Sequence, residues 1–443
     1  MDQDEGRQVD RAWRGKNFRC VGIGVGPANL SLVSLMHSQP GLTNLFLERR
    51  DTFGWHDGQQ IDGAMLQVSM LKDLVSLSDP TNPYSFLAYL HAQGRMYHFL
   101  NAQFEAVPRA EFRDYFAWAA ERNPNVVFGQ QVRSVEFDGR FVISTDDGTV
   151  TADNVSVAVG CAPRVPAAAV PHLGASQFHV SDYLSKARGL GGKRVGVVGG
   201  GQSGAEAFLD LVTRDDNELP RRITWISRRP NFLPLDDSPF TNDYYMPGHS
   251  DYFATLPLET RREFNARHLL TSDGISESTL RSIYQAIYLR RFVRNADDLI
   301  ALYPNRSVVD VVPDATSGGW DLTLSHLYHP DIVERQQFDV VVWATGYHRA
   351  DTEFLAPIAD RFQYEDGEYK IDRNFAVEWD GPPTNNVFIQ NAARQQRGLA
   401  DPNLSLLAWR SQRILDRICG TQSEDPLSSF IEWTTKPPTA QYM

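Results

Sequence analysis

Two glycine-rich turns, each set between a short apolar run and a helix-forming stretch, constrain this chain more than any other feature. The first runs from Phe18–Val21 into Gly22, Gly24 and Gly26 and on to Asn29–Met36. The second leads from Arg194–Val198 (RVGVV) through Gly199, Gly200, Gly201, Gln202, Ser203 and Gly204 into AEAFLDLV. A strand, a tight glycine turn and a helix start present free backbone N–H groups to an anionic pyrophosphate. The second turn is a full GxGxxG, whereas Pro27 replaces the third glycine of the first. Proline suits the first turn of a helix, where its missing N–H would have been unpaired anyway. One such turn says little by itself. Two in one chain predict an α/β protein with two Rossmann-like dinucleotide-binding units.

The strand after each turn separates the two nucleotides. Asn44–Leu47 (NLFL) reads as a strand ending at Glu48, about 20 residues on, where a dinucleotide fold puts the acid that binds a ribose 2′-OH. After the second turn Ile223–Ile226 (ITWI) reads as the matching strand, and Ser227, Arg228 and Arg229 stand at its end instead of an acid. Basic residues there accommodate a 2′-phosphate, which predicts NADP rather than NAD.

Between the turns, Phe86–Leu90 and Glu111–Arg122 have helical periodicity. Val126–Phe128, Val132–Phe137, Phe141–Ser144 and Val155–Val159 read as strands, with Asp146-Asp147-Gly148 as a hairpin turn. Beyond the second turn, residues 239–294 form an aromatic-rich, mostly helical insertion with helices at Leu258–His268 and Ser278–Phe292. Phe338–Trp343 (FDVVVW) is a strand running into Ala344-Thr345-Gly346-Tyr347, Val387–Gln390 another, and Leu404–Ile418 a closing helix. The expected division is a tail at 1–17, a discontinuous first unit at 18–190 and 338–420, a second unit at 191–337 carrying the insertion, and a tail at 421–443.

A formal net charge of −12 leaves no basic footprint for nucleic acid, and no apolar run is long enough to span a membrane. The N-terminus is charged and lacks the apolar core of a signal peptide, so a cytoplasmic location is expected. Cys20, Cys161 and Cys419 stand apart in sequence, which argues against a disulfide framework and against the redox pair of a disulfide reductase. No Ser/His/Asp arrangement and no metal-ligand cluster is legible.

Six stretches go beyond a generic flavoprotein: GxGxGPxN at Gly22–Asn29, FxWH at Phe53–His56, LQxxxLKDLVSxxxPTxPYSF at Leu66–Phe86, GGGQSGAE at Gly199–Glu206, ATGY at Ala344–Tyr347 and LSLLAWR at Leu404–Arg410. Together they resemble the flavin-dependent N-hydroxylating monooxygenases of siderophore biosynthesis, in the branch acting on L-lysine and on diamines. The resemblance implies two Rossmann-like domains, one for FAD and one for NADPH, with a small helical substrate-binding insertion. It implies that Gly22, Gly24, Gly26, Pro27 and Glu48 bind FAD with Trp55, His56 and Gln67 beside it. Gly199, Gly201, Gln202, Ser203, Gly204, Arg228 and Arg229 would hold NADP, and Thr345, Gly346 and Leu404 would line the cofactors. Gln67, Lys72, Asn242, Ser272 and Ser405 would meet the substrate, with Asn242 positioning the reacting amine.

The implied reaction uses O2 as co-substrate: NADPH reduces the flavin, and a C4a-hydroperoxyflavin transfers oxygen to the terminal primary amine of L-lysine, cadaverine or putrescine. A homo-oligomer, a tetramer by analogy, is also implied. Ornithine hydroxylases of the family carry an asparagine in a TNYS-like stretch where this chain has Thr271-Ser272-Asp273-Gly274. Ornithine hydroxylation and a broader Baeyer–Villiger or heteroatom oxidation stay open as alternatives, the latter because His179 and Tyr183 (FHVSDY) resemble part of that class's linker motif.

Overall fold

The computed structural model describes residues 13–316, 318–423 and 429–433. The first glycine turn grows out of a seven-stranded sheet ordered Val126–Val127, Asn44–Leu47, Asn17–Ile23, Gly148–Val157, Arg140–Thr145 and Val132–Asp138, with Asn386–Ile389 as a further partner of Gly148–Val157. That ten-residue strand changes partner midway. Its first residues pair antiparallel with Arg140–Thr145, and Asn154–Val157 pair parallel with Asn386–Ile389. A late segment of the chain is thereby carried back to the first turn. Helix Pro27–Met36 is buried almost throughout, packed between this sheet and the closing helix Leu407–Cys419, which Gly420 ends in the left-handed conformation.

The second sheet has five parallel strands in the order Ile300–Tyr303, Arg222–Ile226, Arg194–Val198, Val340–Trp343 and Gln177–His179. Two of these strands were expected in the first unit, Gln177–His179 within 18–190 and Val340–Trp343 within 338–420. Both pair into the second sheet instead. Val340–Trp343 is all-apolar and reads the same whichever sheet it joins, and the three residues of Gln177–His179 (QFH) are too few to show a period. The return to the first unit comes later, where Tyr347–Arg349 pairs antiparallel with Cys161–Pro163. A three-stranded antiparallel meander, Arg306–Pro313, Trp320–His326 and His329–Phe338, was not anticipated, because its outer faces are largely exposed and its alternation is broken by bulges.

The helical insertion is shared between the two cores. Tyr245 belongs to the first hydrophobic cluster and Ile275 and Ile283 to the second. Helices Pro247–Phe253 and Leu258–Arg267 are tied to residues 365–397 by the Arg397–Asp251 and Arg261–Glu365 ion pairs. Neither tail is wholly detached. Trp13 is 5% exposed in the first core, and the Gly15 N–H donates to Thr149 O. At the other end Ser423 bonds the Asp416 carboxylate, and Trp433 stacks on Tyr252 at 5.7 Å. The rest of the expected tails, residues 1–12, 424–428 and 434–443, lies outside the described residues.

Candidate functional site

Each glycine of the first turn has a separate task. A Cβ at Gly22 would lie 2.0 Å from the Phe46 ring, and one at Gly24 (φ +83°) would lie 2.6 Å from Ala158 O. At Gly26 it would meet nothing within 4 Å. The first two glycines therefore let the strands and the turn close up, and the third leaves open space in front of the helix start. Pro27 occupies the first helical position with Gly26 as its N-cap, so the N–H groups of the first turn face that space. Glu48 stands at the tip of the neighbouring strand, where its carboxylate accepts from Val25 N (2.9 Å) and Arg50 N (3.0 Å). Asn29, the N of GPxN, is fully buried and joins Ile23, Gly24, Ser156 and Gln390. It locks the turn to three strands rather than facing a ligand.

The second turn repeats the plan. A Cβ at Gly199 (φ +143°) would collide with Ala344 O and one at Gly204 with Gly199 O, whereas Gly201 has only Asp273 O at 3.6 Å. Arg228 is exposed beyond the strand end. Arg229 folds back, donating to Gly200 O (2.7 Å) and Asp273 O (2.9 Å). Thus the two arginines are not equivalent: Arg228 is free to meet a phosphate, while Arg229 ties the turn to the TSDG loop. Ser203 lies half-buried in the first turn of helix Gln202–Thr213.

The two turns are connected by side chains, of which Arg109 and Gln59 lie outside the motifs quoted above. Arg109 holds Glu206 through two hydrogen bonds and also donates to Gln59 O, and Tyr347 donates to Gln59 Oε1 (2.6 Å). Gln202 donates to Glu206 (2.9 Å) and accepts from Ser276 N (2.9 Å) and from Gln67 (3.3 Å). Gln67 and Gln202 were expected at FAD and NADP respectively; here they touch one another across the cleft. Trp55 packs edge-on against Phe116 and His56. His56, in the left-handed conformation (φ 50°), opens to the cleft but is surrounded by protein. That desolvation, with Arg109 nearby, pushes its pKa down to about 4, so its imidazole is neutral at physiological pH.

Lys72 projects from the loop Met65–Pro83. Asp73 next to it is buried and turned inward, its carboxylate accepting from Val75 N, Ser76 N and Phe86 N, which fixes the loop and leaves the lysine facing the other way. The Lys72 ammonium donates to Ser405 (3.0 Å) and lies 5.7 Å from the Tyr245 ring centroid. Burial lowers its pKa. Ser405 sits in the short helix Leu404–Leu406, which Asn403 caps. Tyr245 donates to Thr271 O (2.6 Å), and Ser272 next to Thr271 accepts from Arg394 (3.3 Å) and donates to Asp273 (2.8 Å). Lys72, Ser272 and Ser405 are thus joined around Tyr245. Asn242 is exposed, and its amide donates to Asp237 O (2.8 Å); none of its hydrogen bonds joins it to this group. Thr345 donates to Arg164 O, and Gly346 O accepts from His179 (3.0 Å), so this stretch serves the connection between the sheets. His179, which suggested the Baeyer–Villiger alternative, is a bonded part of the same connection.

Two nucleotide turns facing one cleft define the class of two-dinucleotide flavoproteins. The model of the L-lysine 6-monooxygenase/L-ornithine 5-monooxygenase family matches residues 16–349. The chain is 38% identical over 426 residues to L-lysine N6-monooxygenase of Escherichia coli, covering 94% of this chain and 99% of that one. The cadaverine monooxygenase of the desferrioxamine pathway from Erwinia amylovora, solved with FAD bound, superposes with a TM-score of 0.87 at 30% identity, covering 96% and 99% of the two chains. An ornithine N-hydroxylase from Kutzneria, solved with reduced FAD, NADP+ and L-ornithine, superposes with a TM-score of 0.82 at 27% identity over 91% and 99%. This chain belongs to the L-lysine 6-monooxygenase/L-ornithine 5-monooxygenase family.

Proposed function

We propose that this protein is an FAD- and NADPH-dependent monooxygenase that hydroxylates the terminal primary amine of L-lysine, or of a related diamine such as cadaverine or putrescine, for hydroxamate siderophore biosynthesis. The observation that carries the reading is the Lys72–Ser405–Tyr245 group, its lysine half-buried, in a chain whose two glycine turns leave open space at Gly26 and Gly201. The open space before Gly26 and the acid Glu48 fit an FAD pyrophosphate and ribose; the space at Gly201 and the free Arg228 fit NADPH with its 2′-phosphate.

Bound FAD, reduced by NADPH, supplies O2 activation. The chain's own residues bind, orient and exclude water. A terminal alkylamine reacts only when neutral, yet in water its pKa is about 10.4. An apolar cleft desolvates the ammonium and lowers that pKa, as burial already does for Lys72. No dedicated base is needed, and neutral His56 adds no competing positive charge.

The test is direct. Purified protein with bound FAD is supplied with NADPH and with L-lysine, L-ornithine, cadaverine or putrescine, and NADPH oxidation and hydroxylamine formation are followed. Product from at least one lysine-type amine supports the reading; bound FAD with no hydroxylated product from any of the four overturns it. A cytoplasmic location and a homo-oligomer belong to the same reading. Among the described residues no helix is long and apolar enough to cross a membrane, and Tyr284, Tyr288 and Phe292 form an exposed apolar stripe that light scattering can test as an interface.

A further inference from the structure

The arginines withdrawn furthest from solvent in this protein have carboxylate partners, and the half-buried Arg229 instead bonds two backbone carbonyls. Arg109 meets Glu206, Arg261 meets Glu365, Arg290 meets Asp216, Arg397 meets Asp251 and Arg410 meets Asp401. Two half-buried cations at the substrate cleft break this pattern. Among the described residues Lys72 bonds only the neutral Ser405 hydroxyl, and the Arg394 guanidinium bonds only the Ser272 hydroxyl. Both act on the same residue: Lys72 lies over the Tyr245 ring, and the Arg394 charge acts on the Tyr245 phenol. Neither cation bonds a carboxylate directly, the Asp273 carboxylate reaching Arg394 only through Ser272, which leaves both able to take an external anion.

Arg394 is also firmly placed. Its carbonyl accepts from Asn265 (3.1 Å), and it opens the short helix Arg394–Arg397, whose last residue is the buried Arg397. A guanidinium carried on a fixed backbone presents a planar fork that matches a carboxylate with two parallel hydrogen bonds. Ser272 links it to Asp273, whose carboxylate accepts from Ser272 (2.8 Å). An arginine and an aspartate bridged by one serine form a pair of opposite charges at the scale of an α-amino acid's carboxylate and ammonium.

We propose that Arg394 determines specificity by receiving the α-carboxylate of the substrate, so that the amine hydroxylated is that of an α-amino acid, L-lysine, rather than a diamine. This rests on the amine-hydroxylase reading and deepens it. Lys72, over the Tyr245 ring, contributes the second positive charge. A diamine offers Arg394 nothing to bond and brings a second ammonium toward both cations.

L-lysine and cadaverine differ only by the carboxylate, so the pair isolates the effect. KM and kcat for both are measured with the wild-type protein, Arg394→Gln and Arg394→Lys, and binding of both amines to the holoenzyme is measured by calorimetry. The wild type is expected to prefer L-lysine. Arg394→Gln is expected to raise the KM for L-lysine at least about tenfold relative to that for cadaverine, the loss of a charge-assisted hydrogen bond, and Arg394→Lys to recover part of the difference. Equal losses for the two amines, or an unchanged ratio, overturn the proposal, as does a wild type that prefers cadaverine while still hydroxylating it. That last outcome leaves the amine-hydroxylase reading standing. If no amine is hydroxylated, that reading fails by itself, and the calorimetric ratio still decides the role of Arg394.

Discussion

The Arg109 guanidinium grips the Glu206 carboxylate through hydrogen bonds of 2.8 and 2.6 Å, with the glutamate 5% exposed. The arginine begins a helix packed on the first core, and the glutamate belongs to the helix that starts at the second glycine turn. One ion pair thereby ties the two nucleotide units together directly beside Gln67 and Gln202.

Removing one member of this pair strands the other. Arg109→Ala is expected to destabilise the protein by about 3–5 kcal/mol, the usual consequence of leaving a buried charge without its partner. The double variant Arg109→Met/Glu206→Leu is expected to recover most of that stability while slowing NADPH-driven flavin reduction. Urea unfolding and stopped-flow absorbance check the two halves of this prediction separately.

Glu48 serves the turn itself as well as a ligand. Glu48→Ala leaves the buried Val25 N–H without an acceptor, a loss of about 1–3 kcal/mol, and the protein is expected to purify with less flavin. Glu48→Gln keeps an acceptor for Val25 and is expected to restore stability but not the full flavin content. The ratio of flavin to protein absorbance, read beside Tm, checks both; Glu48→Ala with a full complement of FAD would remove Glu48 from the ribose site.

Arg228 is exposed and has no hydrogen bond or ion pair among the described residues. Arg228→Ala is expected to leave Tm unchanged and to raise the KM for NADPH by about 10–100-fold, with little change for NADH, because only the former carries the 2′-phosphate. An unaltered preference between the two nucleotides refutes the assignment.

For Lys72→Ala the expectation is a KM for the amine raised about tenfold, with flavin reduction by NADPH retained. Should the amine KM not move, Lys72 is only a prop for Ser405.

His249 is 1% exposed among Tyr244, Tyr252, Phe253, Phe264 and Trp433. Burial pushes its pKa down to about 4, with His268 acting in the same direction. The unfolded chain takes up this proton near pH 6.5 and the folded one only near pH 4, so between those values the unfolded state binds more protons and stability falls as pH falls. At about 1.36 kcal/mol per pKa unit the loss is about 3 kcal/mol by pH 4. Urea midpoints measured from pH 7 to pH 4 are expected to fall less steeply for His249→Phe than for the wild type; parallel slopes would contradict the assignment.

Residues whose meaning is local were legible from the chain. Gly22 and Gly24 announce a turn because no side chain fits the backbone path, and Asn44–Leu47 is a strand over the same residues in the structure. The Asp73–Phe86 block was conspicuous in sequence, but its role as a brace behind Lys72 depends on Asp73 bonding Phe86 N thirteen positions away. Arg394 carried no signal at all: it lies in NAARQQRG beside one other arginine, and only the folded chain distinguishes it from that Arg397, whose charge Asp251 compensates.

The order of residues was thus enough for the two glycine turns and the membership of a family, because each depends on short-range backbone geometry or on a motif read along the chain. Only the folded molecule decided which sheet receives Gln177–His179 and Val340–Trp343, and which polar side chains are consumed by the scaffold and which face the cleft. Strand pairing and charge compensation are contacts between residues far apart in the chain, and periodicity along one segment carries no record of its distant partner.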